Sequence, residues 1–225
     1  MPPTPTTPTK RRAGQRDAER TRRAILEAAL VEFSEKGHSA ARMDAVAEAA
    51  GISKPMIYSY FGDKDALYAA ALREAYVQIR EGEKELQLGD LAPIEAVRTL
   101  VHFTFDHFRQ KPWFISMLNT ENLLGGNTVR SIADVGEIQS NMISELRRVL
   151  DHGIEEGVFR KDVDPVELYI TIASLCYFPI SNRHTLRAVF KVPVDDAWVE
   201  ARKRAVSDMV LSYLRPCPGR EDGDA

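Results

Sequence analysis

Apolar and polar positions alternate in a helical rhythm through the first third of the chain. Over residues 17–36 apolar side chains recur at spacings of three and four, which predicts an amphipathic helix ending at Gly37. A second helix is predicted over residues 43–50. Gly51 follows it, at a position where a residue with positive φ allows the chain to reverse sharply. These two helices and the turn form the start of a compact head.

A short third helix follows the turn at once. Ser53 is a suitable N-cap for it, and Pro55 falls in its first turn, where a missing N–H costs nothing. The helix is predicted to end near Phe61. Asp63 can then cap a fourth helix over residues 64–88, which links the head to the remainder of the chain.

The remainder keeps the helical period and shows no sustained β alternation. Further helices are predicted over residues 93–110, 112–124, 128–156, 164–177 and 195–214. The expected fold is therefore all-α, with about nine helices in a small head and a larger body. Along the chain this predicts a disordered basic arm at 1–16, a helix-turn-helix head at 17–64, a helical body at 65–215 and a disordered tail at 216–225.

Composition narrows the classes of protein that this chain can be. With 225 residues, 44% of them hydrophobic, the chain can bury a full core, and no apolar run is long enough for a membrane span. Two cysteines, Cys176 and Cys217, are too few for a disulfide framework, which favours a reducing cytoplasm. The N-terminus has no secretory signal. We expect a cytoplasmic protein without a membrane partner.

Charge is unevenly distributed along the chain. The net charge is −3, yet residues 1–68 hold 11 Lys/Arg against 9 Asp/Glu, a balance of +2. Seven of those basic residues fall within 10–23, beside Asp17 and Glu19 only. A basic head on an acidic body suits a polyanion met at one end. A solvated tail would also explain a charged run taken alone.

The third helix is the candidate for insertion into a DNA groove. It is short and follows a tight turn, as a major-groove reader must. Lys54 and the tyrosine hydroxyls suit phosphate oxygens, whereas Met56 and Ser59 could meet base edges. The complete set of predicted DNA-binding residues is Arg42, Ser53, Lys54, Pro55, Met56, Tyr58, Ser59, Tyr60 and Lys64.

The run AVAEAAGISKPMIYSYFGDKDAL resembles the DNA-binding signature of the TetR family of bacterial transcriptional regulators. That signature reads A-G-[VI]-S-[KR]-x-x-[IL]-Y-x-[YH]-F-x-x-K-x-x-L, and every fixed position is matched here from Ala50 to Leu67. The upstream run at residues 21–37 is similar to the first helix of the family. One departure is Ala41–Arg42, where members commonly place Thr or Ser; the Arg42 side chain would replace that hydroxyl.

The resemblance implies a sequence-specific regulator that binds a palindromic operator as a homodimer. It further implies a pocket for an unknown small-molecule effector in the body, a dimer held by the last two helices, repression as the usual outcome, and no enzymatic activity. Neither a cofactor nor a metal is expected. His102 and Asp106 lie four apart on one helix but lack an evident third ligand.

Residue patterns in the body give these implications independent support. The middle helices are rich in aromatics interleaved with polar groups, as small-molecule pockets are. The predicted pocket residues are His102, Phe103, Asp106, Trp113, Met117, Glu121, Asn122 and Phe178. The last two long helices are apolar on more than one side. The predicted dimer residues are Tyr169, Ala173, Cys176, Trp198, Ala205, Met209 and Tyr213; completion of a monomeric core is the alternative.

Two rival functions remain open at this point. A small all-helical enzyme could use His102, Asp106, His107 and Glu121 for acid–base or metal chemistry, although no nucleophile elbow or phosphate-binding glycine loop accompanies them. A non-specific DNA-coating protein could use the basic arm alone, and it would show no preferred sequence and no response to a ligand.

Overall fold

The computed structural model describes residues 9–216, with side chains from Arg16 onward. Within that range the chain forms eleven α-helices and one 3₁₀ turn and contains no strand, which confirms the all-α fold. The helices are α1 Thr9–Ala40, α2 Met43–Ala50, α3 Lys54–Phe61, α4 Lys64–Glu85, α5 Pro93–Gln110, α6 Pro112–Leu123, α7 Asn127–Ser131, α8 Val135–Glu155, α9 Pro165–Ser181, α10 Arg183–Val189 and α11 Asp196–Leu214. The 3₁₀ turn, Leu88–Asp90, lies between α4 and α5.

Helix α1 begins earlier than the sequence pattern predicts. Its backbone is helical from Thr9, so residues 9–16, predicted as part of a disordered arm, belong to the helix instead. Lys, Arg, Gln and Ala dominate this stretch, and all four have high helix propensity. Helical dihedrals break at Gly37 with φ of 70°, at the residue predicted to end the helix. Residues 1–8 and 217–225 lie outside the described range, together with Cys217.

Two helices in the body were not predicted. The expected helix over residues 128–156 is in fact α7 and α8, because Ile132 between them has an extended backbone (φ −79°, ψ 106°) and a buried side chain. Helix α10 was missed because most of its side chains are exposed, so no apolar stripe marks it. Helix α9 also continues through Pro179 to Ser181, beyond the predicted end at residue 177.

The described residues pack as two compact units. The first holds the chain up to Ala75 together with residues 116–132, and its core is built from α1, α2, α3 and the start of α4. Tyr68 packs edge-on against Phe33, with ring centroids 5.1 Å apart. Side chains that are almost completely buried hold these helices together: Ile25, Phe33, Val46, Ile57 and Leu67.

The second unit holds residues 76–115 and the described chain from Ala133 onward. Helix α5 is its centre and packs against α8, α9 and α11. Val97, Leu100, Phe105 and Ile172 are completely buried there. No helix in the described range combines the length and the apolarity needed to cross a membrane.

Candidate nucleic-acid interface and body cleft

Helices α2 and α3 are joined by a turn that Gly51 makes possible. Gly51 is left-handed, with φ of 66° and ψ of 33°, and its N–H donates to the Glu48 carbonyl at 3.1 Å. The Ile52 N–H closes the turn on the Ala47 carbonyl at 3.0 Å. Ser53 occupies the predicted N-cap position of α3, but its hydroxyl makes no capping hydrogen bond. That hydroxyl is exposed and therefore available to another partner.

Helix α3 is anchored by one residue and exposed over most of the rest. Ile57 is completely buried, whereas Lys54 and Tyr60 are half-buried at the margins. The Lys54 ammonium lies 3.1 Å from Asp44 Oδ2 on α2. On α3 and its N-cap, the predicted contact residues that are exposed are Ser53, Pro55, Met56, Tyr58 and Ser59.

The two predicted contacts outside α3 differ in their availability. Arg42 is exposed at the N-cap position of α2, and its backbone N–H donates to Glu32 Oε1 at 2.8 Å. A carboxylate from α1 thus supports this helix start, where family members commonly have a hydroxyl. Lys64 instead donates from Nζ to the Ser39 carbonyl at 3.1 Å. A phosphate contact by Lys64 would require that bond to rearrange.

Arg22, a residue of α1 that sequence reasoning missed, contacts the end of α3. The Arg22 guanidinium stacks over the Phe61 ring, 4.3 Å from its centroid, and donates to the Tyr60 carbonyl at 3.2 Å. Phe61 is half-buried. Arg22 and Tyr60 are 38 residues apart, so the local sequence gives no signal for their contact. Arg22 fixes the angle at which α1 meets the end of α3.

Three predicted pocket residues belong to the first unit. Met117 is buried in its core, and Asn122 is exposed, donating to the Leu118 carbonyl at 2.8 Å. Glu121 is buried, and its Oε1 accepts from the backbone N–H groups of Thr128 (2.6 Å) and Val129 (3.1 Å). This carboxylate therefore caps the start of α7, where the helix dipole favours a negative charge.

The capping carboxylate also affects its neighbour Tyr68. The Tyr68 hydroxyl donates to Glu121 Oε2 at 3.5 Å. Burial, together with the Glu121 charge, raises the pKa of Tyr68 to about 12. Glu121 is thus engaged in helix capping, and it is not among the residues that line the cleft in the second unit.

The second unit contains a cleft of about 540 Å³ along α4 and α5. Of the predicted pocket residues, His102, Phe103 and Asp106 line it. Trp113 does not, and Phe178 is an exposed residue of α9. The sequence did not predict the other lining residues, which come from α4, from α5 and from the residue after it. They include Gln78, Gly82, His107 and Lys111.

Asp106 is held at the edge of this cleft by a buried lysine. Lys203 on α11 is 5% exposed, and its ammonium donates to both Asp106 carboxylate oxygens at 2.8 and 2.9 Å. It also lies 2.8 Å from Glu200. Burial disfavours the ammonium charge, but the hydrogen bonds that Lys203 donates to Asp106 and Glu200 outweigh this effect and raise the pKa of Lys203. Asp106 is therefore committed to an ion pair.

Tyr169, predicted at the dimer interface, belongs to a largely buried polar cluster with Arg80 and Glu83. Its hydroxyl accepts from Arg80 Nη2 and donates to Glu83 Oε1 at 3.0 Å. Arg80 Nη1 lies 2.7 Å from Glu83 Oε2. Burial raises the pKa of Glu83 to about 7, against the opposing charge of Arg80. The cluster ties α4 to α9 inside one protomer.

Cys176 is likewise an interior residue rather than an interface residue. It is completely buried, and its Sγ donates to the Val101 carbonyl at 3.7 Å. Burial raises the pKa of this thiol. The sequence pattern failed here because α9 is apolar on several sides, so the period alone does not separate its inward face from its outward one.

The outward faces of α9 and α11 carry large apolar side chains. On α9 Val166, Ile170 and Phe178 are exposed at spacings of four and eight, and on α11 Met209 and Tyr213 are about half exposed. Ala173, Trp198 and Ala205 are half-buried. In the described part of the chain, no three His, Cys, Asp or Glu side chains are grouped to hold a metal ion.

A helix-turn-helix head with an exposed third helix, joined to a helical body, defines the class of bacterial DNA-binding regulators. Comparison with known families agrees. Residues 25–71 match the family model described as bacterial regulatory proteins, tetR family, and residues 93–210 match tetracyclin repressor-like, C-terminal domain. The chain belongs to the TetR family of transcriptional regulators, which are not enzymes.

Individual relatives are similar over most of their length. The HTH-type transcriptional repressor NicS of Pseudomonas putida is 36% identical over 199 residues, covering 88% of this chain and 94% of that protein. The regulator RutR of Escherichia coli K12 is 33% identical over 67% of this chain and 69% of its own. The solved structure of the regulator SCO4942 from Streptomyces coelicolor superposes with a TM-score of 0.64 at 25% identity, covering 87% of this chain and 99% of that one.

Proposed function

We propose that this protein is a homodimeric repressor that binds a palindromic operator through its two α3 helices and leaves it when a small molecule binds the body. The observation that carries the proposal is the exposed face of α3 behind the Gly51 turn, with Ile57 anchoring the helix. A monomeric head with one short helix and few cations would bind DNA weakly. A symmetric pair would read two half-sites one helical turn apart.

The exposed apolar faces of α9 and α11 support the dimer. Ile170 and Met209 are each 50% exposed, which is costly for large apolar side chains unless a partner covers them. Two helices from each protomer would form a four-helix interface. We expect Ile170→Glu and Met209→Glu to yield monomers in sedimentation at micromolar concentration. Leu123→Glu, at an 88% exposed site on α6, should stay dimeric.

Selection of bound sequences from a random DNA pool tests the regulatory function. A regulator should enrich one palindrome, whereas a non-specific DNA-coating protein should enrich none. Lys54→Ala and Tyr60→Ala should each weaken binding to the selected sequence and leave helicity and dimerisation intact. Wild-type affinity in both variants would show that α3 is not the recognition helix.

Release by a ligand follows from differential affinity for two conformations of the body. A ligand lowers operator affinity only by as much as it prefers the conformation that binds DNA poorly. The cleft along α4 and α5 supports this part of the proposal, because it joins an aromatic wall to polar groups. We expect the protein to act in the cytoplasm, where its operator lies.

A further inference from the structure

Four acidic and basic side chains line the cleft along α4 and α5: Glu95, Arg98, Asp106 and Lys111. Arg98 lies 3.9 Å from Glu95, and Asp106 is held by Lys203. Lys111 alone among these four has no carboxylate within 4.0 Å in the described part of the chain; its Nζ donates to the neutral Gln78 Oε1 at 3.0 Å. The Lys111 ammonium can therefore meet an anionic ligand without first giving up a carboxylate partner.

Beside this lysine lies a buried imidazole with an unused polar atom. His107 is only 6% exposed, and its Nε2 has no hydrogen-bond partner among the described residues. Burial, with the charges of Lys111 and Arg80, lowers the pKa of His107 to about 4, so the ring is neutral at pH 7. A neutral imidazole can donate one hydrogen bond from Nε2 to an anion held by the neighbouring ammonium.

Phe103 provides an apolar surface within the cleft. A Cβ atom at Gly82 would lie 2.6 Å from Phe103 Cζ, so the glycine lets this ring lie directly against the backbone of α4. The Phe103 ring is tilted against His107, with centroids 5.6 Å apart. His102 lines the same space, and its Nε2 also has no partner in the part of the chain that the structure describes. The cleft thus offers the Lys111 ammonium together with the Phe103 ring.

We infer that the effector is a small organic carboxylate. Its carboxylate accepts hydrogen bonds from Lys111 Nζ and His107 Nε2–H, and its apolar body lies on Phe103. The inference rests on the proposed function, since it names the chemical class of ligand that the cleft of the regulator takes. Charge-assisted hydrogen bonds to a carboxylate are about twice as strong as those to a neutral amide, so the corresponding amides bind less well.

Matched acid and amide probes test the inference on the full-length protein. Calorimetric titration compares benzoate with benzamide, phenylacetate with phenylacetamide, and hexanoate with hexanamide, all at pH 7.5. At least one acid should saturate the protein and bind about tenfold or more tightly than its amide. Lys111→Met should remove that preference. Lys84→Met, which deletes an exposed ammonium on α4 outside the cleft lining, should keep it.

Three results would overturn the inference: amides that bind as well as their acids, an acid preference that survives Lys111→Met, or no acid that saturates at millimolar concentration. Binding to the selected operator is measured on the same preparations. Intact operator binding with no acid preference rejects the carboxylate inference alone. Failure to select any DNA sequence rejects the proposed function, whatever binds in the cleft.

Discussion

The ion pair between Lys54 and Asp44 occupies a side chain that we propose contacts DNA, and removing Asp44 should therefore tighten DNA binding. The ammonium and carboxylate are 3.1 Å apart, with side chains 42% and 59% exposed. A pair this exposed contributes about 0.5 kcal/mol. To contact a phosphate, Lys54 has to give up that partner. Asp44→Asn removes this cost, and it also removes a negative charge from the surface that faces the duplex.

The expected gain in operator affinity for Asp44→Asn follows from the presence of two heads in the proposed dimer. Releasing about 0.5 kcal/mol in each head gives about 1 kcal/mol per operator, which is about a fivefold lower dissociation constant. Fluorescence anisotropy with the selected operator at several salt concentrations measures it. Glu48→Gln, one turn further along α2, removes an equal charge without touching Lys54 and should change affinity less.

A double-mutant cycle separates release of Lys54 from the simple loss of a negative charge. In a Lys54→Met background, Asp44→Asn should lose most of its effect, because no ammonium remains to be released. An equal gain in both backgrounds would refute the reasoning, as would weaker DNA binding by Asp44→Asn. Thermal unfolding of each variant checks that α2, which has Asp44 in its first turn, remains folded.

Two further predictions concern the body. Gly153→Ala should destabilise the protein by about 2 kcal/mol in urea unfolding, since its Cβ would lie 2.0 Å from the Phe159 ring. In the same helix, the Cβ of Gly136→Ala meets nothing within 4 Å, so that variant should be neutral or stabilising. His107 has a pKa of about 4 in the folded protein and about 6.5 in the unfolded chain, so its protonation favours unfolding. Between pH 7.5 and pH 4 the free energy of unfolding should therefore fall by about 3 kcal/mol more in wild type than in His107→Gln. Equal pH dependence in the two proteins would contradict the pKa shift.

The head could be predicted because local chemistry determines it. Gly51 provides the positive φ that the turn requires, and short helices with clear ends leave few alternative arrangements. Asp164 and Asp195 accept N-terminal amide hydrogen bonds of α9 and α11, at the positions where the predicted helices begin. Each of these residues lies within four positions of the turn or helix start that it determines.

The body could not be predicted to the same depth because its polar residues find partners far along the chain. Asp106 meets Lys203 across 97 residues, and Tyr169 meets Glu83 across 86. Neither pair can be recognised from the sequence around its members. Glu121 shows a different difficulty. The amides that it caps are only seven and eight residues away, but they belong to the backbone, and a search for reactive side chains overlooks them.

Helix α4 relates the DNA-binding and ligand-binding proposals to each other. Leu67 and Tyr68 at its start are buried in the first unit, whereas Gln78 and Gly82 line the cleft in the second. A ligand in the cleft therefore binds to the same helix that helps to build the head. The coupling free energy is limited by how much better the ligand binds one conformation than the other. A tenfold preference permits a tenfold loss of operator affinity per site, about 1.4 kcal/mol, so complete release requires either both subunits of a dimer or a stronger preference.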